Sequence, residues 1–275
     1  MPIDPAAFHD FEHAGWQRAA EHYVDAFGGV TMQMAEPLLD AVRTAAGMRL
    51  LDVATGPGFV AASAADRGAI VTGLDFSSAM IAAATGRYPH ITFRDGDAGA
   101  LPFDAASFDA VVMNFGLLHL ARPEAAIAEA YRVLRPGGRY GFTVWAPPAQ
   151  AVGFGIALRA IEALGRTDVP LPEGPAFFKF ADRDVARQAL TGAGFREVDV
   201  RLVPLTWRLS SPDGVYGALS RGAVRTAALL RAQTPDALAN IERAVRDGVE
   251  AYASGAEYHL PMPAVLASGV RGVRL

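Results

Sequence analysis

Apolar residues recur first at helical spacing. Phe8, Phe11, Trp16, Ala19, Ala20, Tyr23 and Phe27 predict one helix, closed by Gly28-Gly29. Met34, Leu38, Leu39 and Val42 predict a second, which ends at Gly47. From residue 49 the pattern switches to short apolar runs separated by helical stretches. RLLDVA (49–54), AIVTGLD (69–75), ITFRDGD (91–97), FDAVVMNF (108–115) and RYGFTVWA (139–146) read as strands. Helices are expected near 60–67, 77–88 and 123–138. Ser77 is placed to cap the second, and the third begins on Pro123 and ends on Pro-Gly-Gly. Strands without a polar face that alternate with helices predict a parallel sheet covered on both sides.

After Trp145 the regularity loosens. Residues 147–180 are rich in Pro and Gly and hold one helix near Phe154–Leu164. A helix over 182–194 and a strand over 195–205 restore the core pattern, and 212–257 read as helices with little strand character. PMPAVLASG (261–269) adds a short strand, Ala264–Ala267, with its prolines at the entrance because proline has no amide to donate. The expected organisation is one domain over 1–275. It comprises N-terminal helices (1–47), a core (48–146), two cover insertions (147–181 and 210–258) and C-terminal core elements (182–209 and 259–275).

Composition narrows the function classes. With 51% hydrophobic and 20% charged residues, the chain can bury a full core. A net charge of -4 with scattered basic residues leaves no electrostatic footprint for nucleic acid or an anionic membrane. Zero cysteine excludes disulfides, thiolate metal sites and cysteine nucleophiles, and no metal site is expected. No run approaches the roughly 18 apolar residues of a membrane span. MPIDPAAFHDFEH lacks the basic start and apolar run of a leader, so the expected location is cytoplasmic. The oligomeric state is left open.

Strand 49–54 runs into DVATGPGF (52–59), a strand-to-helix turn carrying Gly56 and Gly58. Glycine lets the chain bend sharply and lets a ligand approach the main chain. Asp75 ends the next strand, in TGLDFS, where a carboxylate can accept from both hydroxyls of a ribose. Asp95 and Asp97 end the third. All stand at the carboxyl ends of consecutive strands, the edge on which doubly wound sheets bind ligands. Dinucleotide enzymes share this layout. Here, however, G-x-G-x-x-G is incomplete, since Ala61 stands where the third glycine would.

Five ordered segments carry a resemblance to a known family. LLDVATGPG matches the first motif of class I S-adenosylmethionine-dependent methyltransferases, usually written D/E-x-G-x-G-x-G, with Ala54 in place of the first glycine. TGLDFSSAMI, DGDAGALPF and FDAVVMNFGLLHL match the second to fourth motifs, and YRVLRPGGRYGFTVW matches the helix-turn-strand that follows. The chain most resembles the ubiquinone/menaquinone-biosynthesis-like group, over roughly 23–146, with looser likeness at 182–205 and 261–269. The resemblance implies an α/β fold with a Rossmann-like, seven-stranded, mostly parallel sheet, helices on both faces and a helical cover inserted late in the chain.

It also implies S-adenosylmethionine as cofactor, with S-adenosylhomocysteine as product. Ala54, Thr55 and Gly56, with Gly58 beyond them, would lie against the methionine part, and Asp52 would hold it directly or through water. Asp75 would bind the ribose, and Phe76 and Met80 would flank the adenine. Asp97 would accept from the adenine amino group while the Ala98 amide faces the ring. The backbone at Asn114 and Phe115 would approach the methionine amine and the sulfonium methyl, and Tyr23 would close over the cofactor. Phe76, Met80 and Tyr23 have a plainer reading as core packing, and Asp52 as a cap.

Methyl transfer to oxygen or nitrogen often requires a base. His119 is the candidate, since the family often has a His-His pair here and this chain keeps Leu118-His119. A lone histidine also serves as a structural hydrogen-bonding residue, and that reading is slightly favoured. Trp145, Phe177, Phe178 and Tyr216 are candidate substrate residues, with Phe154 and Tyr258 also available. They suit a small lipophilic or planar acceptor, or else glue the cover to the core; Arg221, Arg225 and Arg231 could meet a carboxylate, with a solvated helix face the plainer reading. The expected activity is transfer of a methyl group to an O, N or C atom of a small molecule, beneath a cover that opens to admit it. Two alternatives stay open: a nicotinamide-dependent oxidoreductase and a non-catalytic S-adenosylmethionine-binding protein. The first would use a Tyr-x-x-x-Lys pair, which this chain lacks, its one lysine being Lys179.

Overall fold

The computed structural model describes residues 4–272. Asp4 opens the first helix, its carboxylate accepting from the Ala6 and Ala7 amides while Pro5 needs no partner at that position. Helix α1 (Pro5–Tyr23) is not closed by Gly28-Gly29. The chain continues through a π turn (Val24–Gly28), α2 (Gly29–Thr31) and a 3-10 turn (Met32–Met34) into α3 (Ala35–Ala41). A glycine inside a helix costs only about 1 kcal/mol. Close packing uses this one: a Cβ on Gly28 would lie 3.3 Å from the Phe59 ring.

The core then alternates as the pattern predicts: β1 (Arg49–Val53), α4 (Phe59–Asp66), β2 (Ile70–Asp75), α5 (Ser78–Arg87), β3 (Thr92–Asp95), β4 (Phe108–Asn114), α6 (Pro123–Val133) and β5 (Leu134–Trp145). The Ser77 hydroxyl caps α5 by accepting from the Met80 amide. Helix α6 stops at Val133, short of the expected Pro-Gly-Gly. That segment instead forms the irregular entrance of β5, where the pairing with β4 shifts register and Gly137 takes a φ of 82°. Next come α7 (Val152–Leu164), α8 (Arg183–Gly192), β6 (Phe195–Val203), β7 (Thr206–Leu209), α9 (Gly214–Arg221), α10 (Arg225–Arg231) and α11 (Pro235–Glu250). The chain ends with β8 (Ala253–Ser254), β9 (Glu257–Pro261) and β10 (Ala264–Arg271).

Seven strands form one sheet in the order β3-β2-β1-β4-β5-β10-β6. The first five run parallel, and β10 is antiparallel to both neighbours. This is the expected Rossmann-like, mostly parallel sheet. Leu50, Leu51, Val111, Val112 and Phe142 are completely buried, as strands covered on both faces require. The chain lays β2 and β3 on one side of β1, then crosses to lay β4 on the other. The crevice beyond β1 and β4 is therefore the place where such sheets bind ligands. A second, three-stranded sheet, β7-β9-β8, was not foreseen. Its strands are only two to five residues long, too short for alternation to show, although the tight turn at Gly255 (φ 65°) is a hairpin cue. Among the described residues no helix is long and apolar enough to cross a membrane.

Candidate active site

At the switch point the backbone is bent away from ordinary geometry. Ala54 and Phe115 follow β1 and β4, and both hold the left-handed region, with φ of 53° each. That conformation costs a non-glycine residue on the order of 1–3 kcal/mol and gathers at functional sites. Gly56 (φ 52°) would carry a Cβ into open space, whereas one on Gly58 (φ 85°) would press 3.0 Å from both Tyr88 and Phe93. Gly56 therefore faces a cavity, and Gly58 is held by packing at the start of α4.

Asp75 is fastened between turns. Its Oδ2 accepts from the Gly56 amide and its Oδ1 from the Ser77 amide, each at 2.9 Å. Burial pushes its carboxyl up to about 6, with Asp95 adding to the rise and the Ser77 and Gly56 amides opposing it. Asp52 is buried beneath the turn and accepts from the Thr55 hydroxyl at 2.7 Å. Its other oxygen has no partner, and burial pushes the carboxyl up to about 7.

The first cavity lies over this floor. Tyr23, Ala54, Gly56, Asp75, Phe76, Met80, Asp97, Ala98, Asn114, Phe115 and His119 all line it. Asp52, Thr55 and Gly58 do not line it; the Thr55 hydroxyl donates to Asp52 within the turn, and Gly58 packs against Tyr88 and Phe93. Asp97 Oδ1 accepts from the Gly99 amide at 2.8 Å. Asn114 is locked on both sides, donating to the Thr31 carbonyl at 3.2 Å and accepting from Thr143 at 2.6 Å. Among its described lining residues are two aspartates and no Lys or Arg.

A second cavity adjoins the first and shares Trp16, Tyr23, Phe115 and His119 with it. Trp145 and Phe177 line it together with Phe27 and Phe154. The Phe115 and Trp145 rings stack with centroids 4.0 Å apart. Phe178 and Tyr216 line neither cavity. Phe178 packs on Phe154 and Phe177, and Tyr216 sits on α9 near Glu242.

His119 stands where the cavities meet. Its Nδ1 lies 3.0 Å from Oε2 of Glu12, which is fully buried, and Oε1 of Glu12 accepts from Arg225 Nε at 2.7 Å. Arg225 also donates to the carbonyls of Leu118 and Pro175, each at 2.8 Å. So Arg225 is not on a solvated face. Burial alone would push the Glu12 carboxyl up, but His119 and Arg225 outweigh it and hold the group below the usual carboxylate range. Sequence reasoning missed Glu12, Arg225 and His9. One cue was available: 9, 12, 16 and 23 share one stripe of a 3.6-residue helix, and His9, Trp16 and Tyr23 line the first cavity.

Comparison with known proteins agrees with this geometry. Residues 51–142 match a family model described as a methyltransferase domain. Over 182 residues the chain is 34% identical to the demethylmenaquinone methyltransferase of Renibacterium salmoninarum, covering 63% of this chain and 77% of the relative. Two solved structures share the fold. The [4+2]-cyclase SpnF has a TM-score of 0.55 at 23% identity, with 88% of this chain and 82% of that one covered. Phosphoethanolamine N-methyltransferase 2 of Haemonchus contortus, in complex with S-adenosyl-L-methionine, has a TM-score of 0.58 at 18% identity, with coverage of 97% and 60%.

Fold and floor define a protein that binds a nucleoside cofactor at the switch point of a doubly wound sheet. The chain belongs to the class I S-adenosylmethionine-dependent methyltransferases, within the ubiquinone/menaquinone-biosynthesis group. The residues present fit that cofactor. Gly56 leaves room for close approach, and the lining aspartates suit ribose hydroxyls and an amine. A pyrophosphate would meet like charge and no Lys or Arg here, which disfavours a dinucleotide.

Proposed function

We propose that the enzyme methylates a small, planar, largely apolar acceptor held in the second cavity, with His119 taking the acceptor's proton. The observation that carries this reading is the shared wall. Trp16, Tyr23, Phe115 and His119 border both cavities, so a donor in one and an acceptor in the other meet at the imidazole. The cofactor supplies an electrophilic methyl on a sulfonium, which leaves the protein chiefly to orient and to exclude water.

In this reading Asp75 accepts from the ribose hydroxyls, Phe76 and Met80 flank the adenine with the Ala98 amide at its edge, and Asp97 accepts from its amino group. Ala54, Gly56 and Asn114 border the methionine part, and Tyr23 and Phe115 flank the reacting centre. The aromatic walls of Trp145, Phe154 and Phe177 favour a flat ring system. The only arginine lining the second cavity among the described residues is Arg225. Its guanidinium is engaged by Glu12 and two carbonyls, so no cation there stands free to select an acidic acceptor. The relatives named demethylmenaquinone methyltransferases point to the same kind of acceptor. Residues 147–181 and 210–258 act as the cover of a single domain and open to admit it. A net acidic, cysteine-free chain acting on a small molecule fits the cytoplasm and no nucleic-acid partner.

Calorimetry with S-adenosylmethionine, S-adenosylhomocysteine and NADH tests the donor side, and binding of NADH alone would sink the reading. For the acceptor, metabolite extracts are incubated with enzyme and donor and searched for products heavier by one methylene. Purified acceptor then allows His119→Asn to be assayed. A turnover number unchanged by that substitution removes the imidazole as base.

A further inference from the structure

Three segments far apart in the chain converge on one buried carboxylate. Glu12 comes from α1, His119 from the turn after β4, and Arg225 from the first residue of α10 in the cover. Glu12 spends one oxygen on each partner, 3.0 Å to His119 Nδ1 and 2.7 Å to Arg225 Nε. A carboxylate held as an anion only accepts, so the hydrogen between it and the imidazole belongs to Nδ1. The lone pair of the neutral ring is then on Nε2, and His119 borders both cavities. Rings brace it on two sides: Trp16 meets it edge-on at 4.7 Å and Phe177 at 5.7 Å.

The geometry points to Glu12 as a positioning residue that fixes His119 in the Nδ1–H tautomer, with Arg225 holding the Glu12 carboxylate from the cover. This rests on His119 being the base for the acceptor. For an O–H or N–H acceptor, the X–H bond breaks and its proton goes to His119 Nε2. The freed electron pair forms the X–CH3 bond, while the S–CH3 pair stays on sulfur and leaves a neutral thioether. The site's net charge is thereby unchanged. Positive charge vanishes from sulfur and appears on an imidazolium that faces Glu12, whose negative charge Arg225 balances in the resting state. A carboxylate that only held the ring in place would fix the same tautomer, so turnover, and not the tautomer alone, separates the two roles.

The test reads the ring directly. Protein labelled with 15N at its six histidines is examined by NMR with no donor or acceptor added, and the His119 signals are identified by their loss in His119→Asn. The neutral ring is expected to carry its hydrogen on Nδ1 in the wild type. Glu12→Gln is expected to abolish that preference, because an amide can donate to Nδ1 as well as accept from it. A neutral wild-type ring protonated on Nε2 overturns the proposal, and this arm needs no variant to fold. A Glu12→Gln protein that keeps the Nδ1–H tautomer overturns it as well.

With an acceptor in hand, Glu12→Gln should lower kcat at least tenfold, leave the dissociation constant of S-adenosylmethionine unchanged, and be partly rescued by Glu12→Asp. If instead the tautomer is as expected but His119→Asn turns over normally, the base assignment fails while the positioning of the ring by Glu12 stands.

Discussion

The donor cavity takes its floor from one continuous stretch, the turns after β1, β2 and β4. It presents backbone: left-handed residues at Ala54, Gly56 and Phe115, and a carboxylate pinned by two amides. The acceptor cavity is assembled from α1, Trp145, Phe154, Phe177 and the segment 222–226 of the cover, and presents side chains. The first is set by local chain geometry, the second by packing between distant segments. A change of acceptor thus asks only for new side chains on an existing frame, whereas a change of donor asks for a new frame. The cyclase SpnF, which shares the fold, illustrates that the frame alone does not dictate the chemistry.

The largest expected effect tests whether the donor half carries stored electrostatic cost. Asp52 is pushed up to about 7 in the folded state, against about 3.9 unfolded. The folded protein therefore holds this proton more tightly. Its contribution is fully present below pH 4 and is lost as pH rises toward 7, at about 1.4 kcal/mol per unit. Asp52→Asn keeps the acceptor for Thr55 and should flatten this slope. Denaturant titrations from pH 4 to 8 should show the variant gaining on the wild type by about 2–4 kcal/mol at the alkaline end. Parallel curves for the two proteins would show that no such cost exists.

Next in size, Asp75→Ala should weaken S-adenosylmethionine binding by on the order of 100-fold, since hydrogen bonds to a buried charge are worth about 1.5–3 kcal/mol each. Calorimetry reads this, and an acceptor KM that rises equally would break the separation of the two halves. The mirror experiment is Phe177→Ala, which should raise the acceptor KM by roughly tenfold with no change in donor affinity. The smallest effect belongs to Ala54→Gly. Glycine relieves the left-handed strain at φ 53° but adds unfolded-state entropy. Thermal unfolding should show stabilisation of no more than about 1 kcal/mol.

Legibility in the sequence follows the same division. Gly56, Asp75, Asp97 and Asn114 could be read because strand ends and turns announce themselves within a few residues, and the topology then brings them to one edge. The tie between Glu12 and Arg225 joins residues 213 apart in sequence, and only the helical stripe that Glu12 shares with His9, Trp16 and Tyr23 hints at one end of it. Arg225 reads as an ordinary cation at the start of a helix, yet it ties α10 to Glu12 of α1 and to the Leu118 carbonyl. Phe178 and Tyr216 show the converse, since an aromatic residue in the right segment carries no sign of whether it faces a cavity or seals a joint. The small sheet of β7, β9 and β8 went unseen because two to five residues are too few to display a period.

Helix α1 has one more consequence. Gln17 fastens it to the start of α5, accepting from Ser77 Oγ and the Ala79 amide and donating to Ser78 Oγ, all within 3.0 Å. Glu12 fastens it to the cover, and Trp16 and Tyr23 wall both cavities. If the two cavities hold donor and acceptor as proposed, spent donor and methylated product would leave past the same helix, and whatever slows the release of one would slow the release of the other.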